Sequence, residues 1–168
     1  MLRRARRERC TLVIGIDADA RAMADASRRA AAKASKGGLP NAIFLAESAE
    51  QLPGQLSDRA DLVAVALPWG SLFHGLLDAD CPTLASLSGC LKPGAELVLF
   101  LSELTESQVE DLVTRSESAG LERVEVRPAT LSDTAELSSG WARRLRIPGS
   151  RPVWIIRLRR CDRTESRR

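Results

Sequence analysis

The stretch DLVAVALPWGS, from Asp61 to Ser71, decides how the rest of the chain is read. Asp61–Pro68 is a short apolar run bounded by a charge and a proline, the pattern of a strand buried on both faces. Pro68 and Gly70 then break the run, and Ser71 opens a helix. At the break stands Trp69, one of only three tryptophans in 168 residues. It occupies the point where a strand gives way to a loop, beside a glycine that permits close approach.

Working outward, the same alternation repeats. Upstream, TLVIGID (Thr11–Asp17) is a β-rich run, followed by an alanine-rich helical stretch from Ala18 to Ala34. NAIFLA (Asn41–Ala46) is a second strand after the turn SKGGLP, and a polar, partly helical segment leads back to Asp61. Downstream come a helical stretch over Pro82–Leu91, the turn KPG and the strand AELVLFLS (Ala95–Ser102). TESQVEDLVTRSESAG reads as a helix capped by Thr105 and stopped at Gly120. LERVEVRP and RPVWIIRL are two late strands. Four apolar strands alternating with helices predict the α/β class, a mostly parallel sheet flanked by helices.

Composition bounds the function. Hydrophobic residues at 44% and charged residues at 28% describe a soluble globular protein. No apolar run nears the roughly 20 residues that span a bilayer, and MLRRARRERC lacks the apolar stretch of a secretory signal. The length suits one domain, expected over residues 1–160 with a basic tail at 161–168. The net charge of +3 conceals a polarity: Glu47 to Glu136 holds 16 acidic and 5 basic residues, and both flanks are basic. Such ends suit a polyanion. Cys10, Cys81, Cys90 and Cys161 are scattered without zinc spacing, so free thiols in a reducing cytoplasm are expected. His74 is the single histidine, and no nucleophile motif accompanies it.

In parallel sheets ligands bind at the carboxyl ends of strands. Asp17 ends the first strand, ESAEQLP follows the second and LPWGS the third. A carboxylate that accepts ribose hydroxyls, a polar turn and a glycine-containing turn together suit an adenosine-like ligand. An Asp at a strand end is also a common helix cap. Arg21, Arg28, Arg29, Lys33 and Lys36 fall in one sector of a continuous helix, which reads as a solvated face or a phosphate grip. In GWARRLRIPGSR, Arg143, Arg144, Arg146 and Arg151 surround Trp141, a combination that suits phosphates and a stacked base. A nicotinamide-dependent oxidoreductase fragment would use Asp17 equally well, but it leaves the basic clusters and Trp141 without a role.

Five blocks in order, GIDAD, SKGGLPNAIF, AESAEQLP, LPWGSL and GWARRL, resemble the aminoglycoside-resistance 16S rRNA (adenine-N1)-methyltransferases, over about Thr11 to Trp154. The resemblance implies a Rossmann-like methyltransferase domain that uses S-adenosyl-L-methionine and acts, as a cytoplasmic monomer without metal, on 16S rRNA in the 30S subunit. By the resemblance Asp17 holds the cofactor ribose, Ser48, Ala49 and Glu50 surround its adenine, and Ala66 and Ser71 flank its methionine part. Trp69 and Trp141 correspond to a pair that stacks the flipped adenine, with Ser139 supporting it. Arg28, Arg29, Lys33, Lys36, Arg143, Arg144 and Arg151 correspond to rRNA contacts. Ala32 is uncharged where relatives can carry lysine.

The family's first strand and its glycine-rich loop, of the type DxGTGxG, are not in this sequence. That strand lies between the strands read here as Thr11–Asp17 and Asp61–Pro68. Either those two meet directly or each keeps an unpaired edge. The expectation is a start assigned too late in a longer reading frame. A decayed fragment, or an inactive derivative that only binds rRNA, is the alternative.

Overall fold

The computed structural model describes residues 1–78, 80, 82–130, 132–133 and 152–161. It divides into two compact units, Met1–Ala49 and Glu50–Arg168.

In the first unit, α1 (Leu2–Arg7), β1 (Val13–Ile16), α2 (Ala20–Ala30) and β2 (Ala42–Leu45) follow in order. The two strands pair in parallel from Val13 opposite Ala42 to Ile16 opposite Leu45. Their core is built of three alanines, Ala5, Ala30 and Ala42, and Leu39, with Met1, Leu2, Val13 and Phe44 packed around it. A six-residue helix is not stable alone. Here Asn41 Nδ2 lies within 2.9–3.0 Å of the carbonyl oxygens of Ala5, Glu8 and Thr11, gathering the end of α1 onto the strand pair.

The helix expected over Ala18–Ala34 is shorter. Asp19 caps it, its Oδ1 accepting the Arg21 N–H at 2.9 Å, and it ends at Ala30. There the chain doubles back: Leu39 N–H donates to Ala30 O at 2.8 Å and Gly38 N–H to Lys33 O at 3.1 Å. A Cβ on Gly38 would stand 1.7 Å from the Ala32 carbonyl oxygen, so only glycine allows this crossing. Lys33 and Lys36 therefore leave the helix for the turn Ala34–Lys36, a short 3-10 segment.

The second unit contains β3 (Ala60–Ala66), α3 (Ser71–Leu77), α4 (Pro82–Cys90), β4 (Leu91–Ser102), α5 (Glu106–Ser118), β5 (Leu121–Pro128) and β6 (Val153–Arg160). Its sheet runs β3-β4-β6-β5, with β3 and β4 parallel and β6 antiparallel to both neighbours. Leu97, Leu99, Leu101, Ile155, Ile156 and Leu158 fill the core with Leu76, Leu84, Val109 and Leu112 from the helices. The expected start of α5 is present as a full capping box, Thr105 accepting from Gln108 N–H and the Gln108 side chain returning to Thr105 N–H. The KPG turn is instead a bulge inside β4. Pairing jumps from Ala60–Leu91 to Leu62–Glu96, and Gly94 takes φ +75° to absorb the extra residues.

Among the described residues β1 pairs only with β2 and β3 only with β4. Trp154 is structural: its Nε1–H donates to Leu104 O at 3.1 Å, tying β6 to the start of the α5 loop. Cys10, Cys90 and Cys161 are free thiols, and burial pushes the Cys90 thiol up.

Candidate functional site

At the carboxyl end of β1, Asp17 N–H donates to Leu45 O at 3.3 Å, which extends the parallel pairing by one step. Asp17 Oδ1 accepts the Asp19 N–H at 2.9 Å, and Asp19 itself caps α2. The capping role thus falls to Asp19, and the Asp17 carboxylate stays exposed, its second oxygen without a hydrogen-bond partner among the described residues. Because β1 and β2 are parallel and in register, Asp17 and the turn carrying Ser48 and Ala49 leave the same end of the pair. Ser48 and Ala49 are half-buried.

In the second unit Glu50 is half-buried. Ala66 ends β3 and is exposed. Leu67 N–H donates to Phe100 O at 2.9 Å, and its side chain is buried with Val153 against Phe100 and Ala129. Leu67 has φ +52°, a conformation costly for a branched residue, and burial of its side chain holds it there. The chain is thereby turned outward at Pro68, and Trp69 is 78% exposed. An indole this exposed is not a core residue. Gly70 follows at φ +63°, ψ −138°, a region open essentially to glycine, and among the described residues beyond its chain neighbours no atom lies within 4 Å of where its Cβ would sit. Ser71 then begins α3, exposed.

In the first unit Asp17 presents an exposed carboxylate at the end of β1, chemistry that suits a ribose hydroxyl. In the second unit Ala66 and Gly70 are exposed at the end of β3.

Arg21, Arg28, Arg29, Lys33 and Lys36 are all exposed, although they do not share one continuous helix. Arg28 forms an ion pair with Asp25, both more than three-quarters exposed. Such a pair contributes little and yields readily to a phosphate. Ser139, Trp141, Arg143, Arg144 and Arg151 lie outside the described residues.

Two features escaped the sequence reading. His74 Nδ1 lies 2.7 Å from Gly70 O. Arg127 grips Asp133 just before the segment that carries Trp141, and the guanidinium holds the Asp133 carboxyl well below the usual carboxylate range, helped by the Thr130 hydroxyl and amide. Asp133 lies beyond Pro128, the end of β5, so no strand periodicity signals that pair.

Comparison with known proteins bears on these placements. The family model NpmA, 16S rRNA (adenine(1408)-N(1))-methyltransferase, matches residues 1–159. A relative from Streptoalloteichus tenebrarius, named 16S rRNA (adenine(1408)-N(1))-methyltransferase, is 34% identical over 157 residues, spanning 84% of this chain and 72% of its own. Among solved structures, the 16S rRNA methyltransferase KamB matches with a TM-score of 0.85 at 31% identity, over 96% of this chain and 82% of that one. A mutant of the 16S rRNA (adenine(1408)-N(1))-methyltransferase from Catenulisporales acidiphilia, solved with cosubstrate SAM, matches with a TM-score of 0.85 at 29% identity, over 96% of this chain and 80% of that one.

Proposed function

The chain belongs to the 16S rRNA (adenine(1408)-N(1))-methyltransferase family, and from that premise we propose that it methylates N1 of the decoding-site adenine of 16S rRNA in the 30S subunit, conferring aminoglycoside resistance. The observation that carries this reading is Trp69, 78% exposed at the carboxyl end of β3 on a turn that only Gly70 permits.

Adenine N1 is buried by pairing or stacking, so the base leaves its stack to be modified. An exposed indole face receives such a base, with stacking worth about 1–3 kcal/mol. Trp141 is the second wall of the slot in this reading, and Ser139 a support for the base. S-adenosylmethionine supplies an electrophilic methyl group when bound. Asp17 would hold its ribose, Ser48, Ala49 and Glu50 its adenine, and Ala66 and Ser71 the surroundings of its amino-acid end. N1 already bears a lone pair, so the chain needs no strong general base. Its work is alignment, which can lower a barrier by roughly 7–11 kcal/mol.

Arg28, Arg29, Lys33 and Lys36 would contact rRNA phosphates, together with Arg143, Arg144 and Arg151. Folded rRNA is recognised largely by shape and backbone, which suits a site dominated by cations. Among the described residues no helix is long and apolar enough to cross a membrane, and a ribosomal substrate places the protein, acting as a monomer, in the cytoplasm.

The test is primer extension on 30S subunits incubated with the chain and S-adenosylmethionine. A new stop at the decoding-site adenine is expected. Salt-sensitive binding to 30S subunits without that stop would replace this reading by the rRNA-binding one.

A further inference from the structure

We infer that His74 is a positioning residue for Trp69, its imidazole pinning the Gly70 carbonyl that follows the indole. The inference rests on Trp69 being the base platform.

The geometry is specific. Gly70 is the N-cap of α3 and has no side chain with which to cap the helix. Its carbonyl oxygen takes the ordinary first helical bond, from His74 N–H at 3.1 Å. The same oxygen also takes the His74 ring nitrogen Nδ1 at 2.7 Å, so one residue grips it twice. Phe73 lies edge-on to the imidazole, centroids 5.9 Å apart at 78° between planes, and confines the ring.

Glycine is the residue that loses most freedom on ordering. The turn from Leu67 to Ser71 is anchored behind Trp69 by the buried Leu67, and ahead of it by the Gly70 N-cap of α3. His74 is exposed, and the Gly70 carbonyl is already satisfied by the helix. The second bond therefore satisfies no buried group, and its effect is to restrict the peptide plane. A carbonyl oxygen only accepts, so Nδ1 carries the proton in the neutral ring as it does in the charged one.

The test compares His74→Leu with His74→Asn, whose side-chain amide retains an N–H at the same distance along the side chain. The chain is labelled with 5-fluorotryptophan, and the Trp69 ¹⁹F line is assigned by its loss in Trp69→Phe. The expected result is a shifted or broadened Trp69 line in His74→Leu and a wild-type line in His74→Asn. Methylation of 30S subunits falls about 2- to 10-fold in the former and not in the latter. A Trp69 line unmoved in His74→Leu, or moved equally in both variants, overturns the inference. If the line responds as expected while the wild-type chain leaves 30S subunits unmethylated, the positioning role stands and the catalytic reading of Trp69 falls.

Discussion

Arg127 closes on Asp133 with both arms of its guanidinium, Nη1 to Oδ2 at 2.7 Å and Nη2 to Oδ1 at 3.1 Å. Thr130 adds its N–H at 2.8 Å and its hydroxyl at 2.7 Å to the same Oδ2. Together they tie the end of β5 to Asp133. The pair favours the charged carboxylate, and the folded Asp133 value lies well below the ordinary Asp value of about 3.9. Its stabilisation is therefore complete above about pH 4 and fades as pH falls toward the lowered value. Asp133→Asn is expected to melt below the wild type at neutral pH, with the gap closing in strong acid. Melting curves from pH 7 to pH 2 check this, and a gap that persists unchanged into acid would contradict it.

Gly37 and Gly38 are adjacent and yet should respond differently to alanine. Gly37 stands at φ +81° in open space, so Gly37→Ala costs about 1 kcal/mol of left-handed strain. Gly38 faces the Ala32 carbonyl at 1.7 Å from a hypothetical Cβ, and backbone cannot swing aside as a side-chain tip does. Gly38→Ala should cost at least roughly 1–3 kcal/mol and free the turn that presents Lys33 and Lys36. Thermal melts should therefore rank Gly38→Ala below Gly37→Ala, and Gly38→Ala should also bind 30S subunits less tightly.

Asp25 and Arg28 set a test of the basic surface. If these cations touch phosphates, log affinity for 30S subunits falls with log salt, by roughly 0.7–0.9 for each contact. Arg29→Ala and Lys33→Ala should each make that slope shallower by about one such step. Arg28 is shared with Asp25 at 77% and 82% side-chain exposure, so Asp25→Asn should release it and tighten binding. Filter binding across a salt series measures all three, and slopes equal to the wild type would assign these residues to a solvated face.

The α/β class was legible because β3, β4 and β6 are apolar and β1 and α2 have clear boundary signals. Thr105 and Gly120 announced α5 from both ends, since capping chemistry is local. The break of α2 was not legible. Alanines 30 to 32 and 34 favour helix, and what stops them is a contact with Gly38, several residues further on. The KPG bulge escaped for a similar reason: Pro and Gly mark a turn, and only the partner strand reveals that β4 continues through it. The placement of Asp17 and Trp69 at strand ends was legible, because each follows an apolar run closed by a charge or a proline. His74 was not, because a hydrogen bond from a side chain to a carbonyl four residues earlier leaves no trace in composition.

Trp69 gives the sharpest separation between recognition and folding. Its indole is 78% exposed, so truncation opens no cavity and removes no buried contact of consequence. Trp69→Ala should leave the melting temperature and the circular dichroism spectrum close to those of the wild type. Stacking worth about 1–3 kcal/mol is lost, which lowers methylation of 30S subunits by about 10- to 100-fold. Trp69→Phe retains an aromatic face of smaller area and should fall between the two. Cofactor affinity, measured by calorimetry, should match the wild type in both if the indole serves the base, as proposed. A Trp69→Ala chain that melts well below the wild type would make Trp69 a structural residue, and one that methylates normally would remove it from the site.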